Sequence, residues 1–278
     1  MSRNAERRAG APLTNPRSDR VRSVRALARR SVRMQSGRFL VEGPQAVREL
    51  VRYAAPSIVD LYVTAAAGER YAAVLDSAYA AGVFVHSVSD EVLAAMADAE
   101  TPQGMLAVAQ QPEVSLTSVL AGSPRLLVLL QEVRDPGNLG TVIRGADAAG
   151  SDAVLITDSS VDAYSPKVVR STAGSLFHLP VVTGLEASAT IQELASHGIR
   201  TLATEGEAAT SLADVDLTTP HCWVMGTEAQ GLPDSLATQC DQRVAIPIYG
   251  KAESLNMAMA ATICLYTSAT AQQPLAPY

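Results

Sequence analysis

A strand can be apolar at every position only where both of its faces are covered, and that condition selects a fold class. Leu126 to Leu130 meets it with five consecutive aliphatic residues. Ala153 to Ile156, Gly198 to Ala203, Cys222 to Met225 and Arg243 to Ile248 repeat that character, with helical segments between them. The pattern predicts a doubly wound α/β sheet whose ligands lie at the carboxyl ends of its strands.

Upstream, strand and helix alternate on a smaller scale. Phe39 to Glu42 reads as a strand ending at Gly43, and Pro44 is placed to start a helix carrying Val47, Leu50 and Val51. Ile58 to Val63, Val83 to Val88 and Met105 to Ala109 read as strands, Glu69 to Ala81 and Asp90 to Ala97 as helices. This predicts a second, small α/β domain. Gln110 to Pro124, with its Pro, Ser, Thr and Gly, reads as the boundary between the two. The expected organisation is a disordered basic tail over 1–18, an α/β domain over 19–110, a linker over 111–124 and the larger domain over 125–278. At 278 residues the chain is long enough for two cores.

Charge is distributed unevenly. The whole chain carries a formal −6, yet residues 1–52 hold 13 Arg and four acids, near +9, while the remainder is near −15. A basic segment on an acidic body is an electrostatic footprint for phosphate. Between Asp19 and Met34 the spacing of Val21, Val24, Leu27 and Ala28 predicts a helix whose other faces carry Arg22, Arg25, Arg29, Arg30 and Arg33. With Arg38, these are the expected RNA-contacting residues of the first domain.

Cys222, Cys240 and Cys264 are odd in number and widely spaced, and His86, His178, His197 and His221 are scattered. Reduced thiols and no metal site are expected. No apolar run reaches the length of a membrane span, and the Arg-rich start lacks the apolar stretch of a signal peptide. A cytoplasmic protein without membrane attachment is the expectation.

Three segments carry the chemistry, and each follows an apolar strand. The first is Asp135-Pro136-Gly137-Asn138-Leu139-Gly140 with Arg144 and Gly145 beyond it. The second is Met225-Gly226-Thr227-Glu228-Ala229-Gln230-Gly231. The third is Ile246-Pro247-Ile248-Tyr249-Gly250-Lys251-Ala252-Glu253-Ser254-Leu255-Asn256, leading into an apolar helix from Met257. A nicotinamide-binding fingerprint, Gly-x-Gly-x-x-Gly after the first strand, is missing. Glycines at 226, 231 and 250 let backbone approach a ligand closely. Asn138 and Ser254 also stand where N-caps are expected, and of Ser254 and Asn256, two apart at a helix start, one can cap while the other reaches the site.

Together these segments resemble the motifs of the SpoU (TrmH) family of RNA ribose 2′-O-methyltransferases, in the SPOUT superfamily. The matching residues are Asn138 and Arg144, then Gly226, Glu228 and Gly231, then Ile246, Pro247, Gly250, Ser254, Leu255 and Asn256. The resemblance implies a C-terminal trefoil-knot catalytic domain over roughly Leu126 to Ala269, a homodimer and S-adenosylmethionine as cofactor. It implies Ala203, Thr204, Gly226, Gly231, Ile246, Ile248 and Leu255 as cofactor-binding residues. Arg144, Asn138, Glu228, Ser254 and Asn256 are the implied catalytic set.

An arginine is a poor base, with a pKa above about 12, so Arg144 is expected to clamp a phosphate or stabilise a developing alkoxide. The Arg38-Phe39-Leu40-Val41-Glu42-Gly43 segment resembles the start of the L30e-like RNA-binding domain of many such enzymes. Lys167 and Arg170 fall in a stretch whose basic residues face RNA in the family. The expected substrate is ribosomal RNA, 23S in the first instance, with a role in resistance to a ribosome-targeting antibiotic as a narrower guess. A transfer-RNA ribose methyltransferase, a base methyltransferase and a non-catalytic RNA-binding protein of the same fold are the rivals.

Overall fold

Two sheets divide the described residues, 12–227 and 230–272, in this computed structural model. By packing, the described residues form two compact units, one within 1–113 and 162–178, the other within 114–161 and 179–278.

The first unit starts with α1 (Asp19–Ala26) and α2 (Arg30–Ser36), followed by β1 (Arg38–Glu42) and α3 (Pro44–Ala54). Then come β2 (Ile58–Thr64), α4 (Ala65–Arg70), α5 (Ala72–Ala80), β3 (Val85–Val88), α6 (Asp90–Met96) and β4 (Met105–Gln110). The sheet order is β1-β4-β2-β3, antiparallel except for the β2–β3 pair. Leu40, Tyr62, Leu106 and Val108 face one side and pack under Val21, Val24 and Leu27 of α1 and Val92, Leu93 and Met96 of α6. Phe39 packs elsewhere, with its ring 5.0 Å from Tyr164 and 6.5 Å from Phe177. The expected basic helix over 19–34 is thus two helices, broken near Leu27, whose N–H already bonds to the Val24 carbonyl in a tighter turn.

Residues 12–18, expected to be disordered, are ordered. Leu13 pairs its backbone with the free edge of β3, donating to Ser87 O at 2.9 Å and accepting from Ser89 N at 3.0 Å. Ser18 caps α1. Residues 1–11 lie outside the described residues.

The second unit opens with α7 (Leu116–Leu120), which falls inside the expected linker but places Leu116, Val119 and Leu120 in the core. The chain continues with β5 (Leu126–Leu130), α8 (Pro136–Ala148), β6 (Ala153–Thr157) and α9 (Pro166–Ser171), the last belonging to the first unit. Next are β7 (Val181–Leu185), α10 (Ala187–Ser196), β8 (Arg200–Thr204), β9 (Thr210–Ser211), β10 (His221–Met225), α11 (Asp234–Ala237), β11 (Gln242–Ala245) and α12 (Met257–Gln272).

All seven strands pair in parallel, in the order β7-β6-β5-β10-β8-β11-β9. Every residue of β5, β6 and β10 is buried, as a sheet covered on both faces requires. One face, with Leu127, Leu129, Leu155, Cys222 and Val224, packs on α7 and α10. Helices α8 and α12 pack on each other and α12 also on β5 and β10.

A buried polar chain fixes α12 to the sheet. His221 Nδ1–H donates to Thr219 O at 2.7 Å, Ser268 Oγ donates to His221 Nε2 at 2.7 Å, and Trp223 Nε1–H donates to Ser268 Oγ at 2.8 Å. The side-chain polar atoms of His221, Trp223 and Ser268 are thereby all satisfied, which a buried network needs. Burial of Cys264 on the same helix pushes its thiol up to about 12, so it stays protonated.

Burial, its largest cause, holds His221 below its ordinary pKa of 6.5. As pH falls the unfolded chain takes up the proton before the folded one does. The contribution of His221 is therefore intact above about pH 6.5 and is lost as pH drops below it. Urea midpoints taken near pH 7.5 and pH 5 should fall more steeply in the wild type than in His221→Gln.

Candidate active site

Because β8, β10 and β11 run parallel in register, with Cys222 opposite Thr201 and Arg243 opposite Ala203, their following loops emerge on one edge of the sheet. Those loops enclose a cavity of about 360 Å³. Its wall takes Thr204 to Glu207 from after β8, Gly226, Thr227 and Gly231 from after β10, and Ile246, Ile248 and Glu253 to Leu255 from after β11. Six of the seven expected cofactor residues line it: Thr204, Gly226, Gly231, Ile246, Ile248 and Leu255. Ala203 does not. It sits wholly buried in mid-strand, hemmed in by Val224 and Arg243 on the neighbouring strands.

The cavity is built from backbone as much as from side chains. A Cβ on Gly226 would lie 2.0 Å from Gly231 C and from Leu232 N, so only glycine lets the second loop close. Thr227 and Gly231 hold that loop through a pair of backbone hydrogen bonds at 3.0 and 3.1 Å. Apolar lining comes from Met225, Val244, Ile246, Ile248, Leu255 and Met257. Three carboxylates, Glu205, Glu207 and Glu253, belong to its lining, and Glu205 also pairs with Arg243 at 3.2 Å. An apolar slot with hydroxyls and an acidic rim fits an adenosine bearing a sulfonium and an ammonium group. Its size lies in the range of ordinary small-molecule sites, about 300–1,000 Å³.

On the other side of the 253–260 segment, Asn256 Nδ2 donates to Asn138 Oδ1 at 3.0 Å. This brings two of the expected catalytic residues together across 118 positions of sequence. Both line a second cavity of about 290 Å³ with Thr141, Met259, Thr262 and Ile263. Neither is placed as a simple capping argument suggests. Asp135, whose Oδ1 accepts from Asn138 N at 2.7 Å, is the N-cap of α8, so Asn138 is free of that role. Asn256, not Ser254, caps α12: its Oδ1 accepts from Ala258 N at 2.9 Å and Met259 N at 3.3 Å. Ser254 instead lines the larger cavity.

Arg144 lies further along α8, exposed, and it lines neither cavity. Glu228 lies outside the described residues.

The expected RNA-facing arginines divide. Arg25, Arg29, Arg30 and Arg38 are exposed, as is Lys167, and Arg22 is exposed beside Asp19. Arg33 is buried: it donates to Leu27 O and Ala28 O at 2.8 and 2.7 Å and pairs with Asp162 at 2.5 Å. Its donors are consumed within the fold, so it does not meet phosphate. Arg170 is engaged likewise, by Glu42 and by Asp98 at 3.0 Å, and those carboxylates raise its pKa against the opposing effect of burial. Sequence alone carries no sign of these pairs, since their partners lie up to 129 positions away. The cavity residues Glu205, Glu207, Thr227, Glu253 and Met257 were also unexpected, although each lies within a few residues of an expected one.

Family comparison decides the identity. The SpoU rRNA methylase family model matches residues 125–266, and an MRM3-like substrate-binding domain matches residues 18–107. The chain belongs to the SpoU rRNA methylase family. This SpoU chain is 32% identical over 254 residues to the 23S rRNA (guanosine(2553)-2′-O)-methyltransferase RlmP of Bacillus subtilis, covering 91% of the chain and 97% of that protein. It is 31% identical to the 23S rRNA (uridine(2479)-2′-O)-methyltransferase of Streptomyces viridochromogenes, over 94% of the chain and 93% of the relative. The structure of the SpoU methyltransferase AviRb from that organism, in complex with AdoMet, superposes with a TM-score of 0.80 at 28% identity, covering 91% of this chain and 98% of that one. S-adenosylmethionine is the cofactor of this SpoU enzyme, and the SPOUT-type α/β domain follows an N-terminal substrate-binding domain.

Two substitutions test the geometry. Gly226→Ala should weaken AdoMet binding by about tenfold or more in calorimetry, at unchanged circular dichroism, because the loop must open to admit the methyl. Asn256→Ala should lower unfolding free energy by about 1 kcal/mol through loss of the α12 cap. Asn256→Asp keeps the cap acceptor and should stay within about 0.5 kcal/mol of wild type. It loses the donor to Asn138, so methyl transfer should fall in the Asp variant while urea stability does not.

Proposed function

We propose that this chain transfers the methyl group of S-adenosylmethionine to a ribose 2′-hydroxyl of 23S ribosomal RNA, acting in the cytoplasm as a homodimer. The observation that carries the reading is the convergence of Thr204, Gly226, Gly231, Ile246, Ile248, Ser254 and Leu255 on one cavity at the carboxyl edge of the parallel sheet. Two relatives at 31–32% identity, matched over nearly their whole length, bear names of 23S rRNA 2′-O-methyltransferases. They differ in the nucleoside named, guanosine in one and uridine in the other, so similarity at this level leaves the target nucleotide open.

In this reading the bound cofactor supplies an electrophilic methyl on sulfur. The chain supplies position: the loops after β8, β10 and β11 hold the cofactor, and Asn138 and Asn256 steady the ribose side. Orientation of that kind lowers barriers by roughly 7–11 kcal/mol in well-aligned cases. The guanidinium of Arg144 is assigned to hold the neighbouring phosphate or the oxygen as it gains charge. Glu228 is assigned to the same set on its motif position alone. The exposed apolar side chains Met259, Ile263 and Tyr266 on α12 support the second copy, which would cover them. Lys167 and the exposed arginines of α1 and α2 supply phosphate contacts.

Tritiated methyl transfer to unmodified 23S rRNA, with bulk tRNA alongside, tests the substrate. Label should enter 23S rRNA as a 2′-O-methyl nucleoside. Arg144→Ala should reduce turnover by about 10²–10³-fold with AdoMet affinity unchanged, and Arg144→Lys should recover part of it. Label confined to tRNA would keep the chemistry and replace the substrate.

A further inference from the structure

A row of three rings crosses from β2 to β3 in the four-stranded sheet, and its outermost member is open to solvent. The parallel register sets Tyr62 of β2 opposite His86 of β3. Phe84 precedes β3 and accepts from Leu61 N at 3.1 Å through its carbonyl. Tyr62 is the buried base of the row, and His86 stacks on it at 4.9 Å with the planes 14° apart. Phe84 then packs edge-on against His86 at 4.6 Å.

The middle ring is fixed on its polar edges. His86 Nε2–H donates to Asp60 Oδ1 at 2.7 Å, and Tyr62 Oη donates to Asp60 Oδ2 at 3.2 Å. Arg20 Nη1 lies 3.1 Å from Nδ1 and 2.8 Å from Nε2, so the guanidinium sits against the ring. With Nε2–H given to Asp60, Nδ1 is the nitrogen left to accept from Arg20.

An exposed phenylalanine is ordinary by itself. This one is 56% exposed, in a chain with only three phenylalanines, on a stack held rigid by a buried tyrosine and a carboxylate. The guanidinium of exposed Arg20, on α1, lies on the same stack. Rigid aromatic faces rimmed by arginines are what unpaired bases and their phosphates bind: any base can stack, and the cation meets the backbone. The net charge near +9 of residues 1–52 complements a polyanion and opposes an acid-poor or basic partner.

We propose that Phe84, His86 and Arg20 form a stacking platform for an unpaired nucleobase of the RNA substrate, with Phe84 as the contact face and Arg20 on the adjoining phosphate. This rests on the reading of RNA as the substrate. Phe84 is a positioning residue for substrate and takes no part in methyl transfer.

The experiment uses the full-length protein and an unmodified 23S rRNA transcript, with Phe84→Ala, Phe84→Leu and Phe84→Trp. Base stacking on an aromatic side chain corresponds to roughly 5- to 150-fold in binding on alanine substitution. RNA affinity should fall by about tenfold or more in the Ala and Leu variants and return in the Trp variant. KM for RNA should rise in parallel while kcat, AdoMet affinity and circular dichroism stay at wild-type values. Arg20→Gln should flatten the dependence of log K on log salt by about one unit of slope.

Equal RNA affinity in all three Phe84 variants would overturn the platform. So would a Leu variant that binds as the wild type does, since the contact would then be apolar and not a stack. Wild-type protein that neither binds nor methylates 23S rRNA would overturn the RNA reading itself and the platform with it, a result distinguishable from failure of the variants alone.

Discussion

The site depends on one constraint, the shared parallel register of β8, β10 and β11. Parallel strands deliver all their carboxyl ends to the same edge, so the loops after them must meet there. Because β10 lies between β5 and β8, and β11 between β8 and β9, segments distant in sequence become neighbours at that edge. Full burial of β5 does not by itself fix the register, because a slip would carry no side chain from core to solvent in a strand buried on both faces; packing against α7, α10 and α12 sets it instead. Chemistry at the edge follows from folding at the centre.

Helix α12 links the two. Its first turn belongs to the site, through the cap at Asn256 and the bond to Asn138. Its last turns are fixed to the sheet by Ser268, which receives Trp223 and gives to His221. Between these ends it lies against α8, where a Cβ on Gly145 would come within 2.8 Å of Thr262 Oγ1. Asn138 and Asn256 thus ride on two helices packed closely enough to hold a single side-chain hydrogen bond in place. Such support from surrounding packing is what a site that works by orientation needs.

Much of this was legible in the sequence, for physical reasons that can be named. Strands buried on both faces announce themselves as continuous apolar runs, so β5, β6 and β10 were evident, and glycine-bearing loops after them marked the ligand edge. Long-range pairing was not. Arg33 and Arg170 look like surface cations on basic helices, yet Asp162 and Glu42 claim them from more than a hundred residues away. Residues 12–18 look like a tail because their order comes from backbone pairing with a sheet edge, which has no side-chain signature. Local sequence does not choose between nearby capping residues: Asp135, three residues before Asn138, caps α8, and Asn256, two after Ser254, caps α12. The ring stack at Tyr62, His86 and Phe84 joins two strands, so no periodicity within either one reveals it.

One cofactor pocket shared by the loops after β8, β10 and β11 requires that all three respond to a single ligand. Amide hydrogen exchange of the protein with and without S-adenosylmethionine reads that response. Exchange should slow together over 204–207, 225–231 and 246–257, with the first unit unchanged. Protection of only one of these segments, or protection centred elsewhere in the chain, would contradict it.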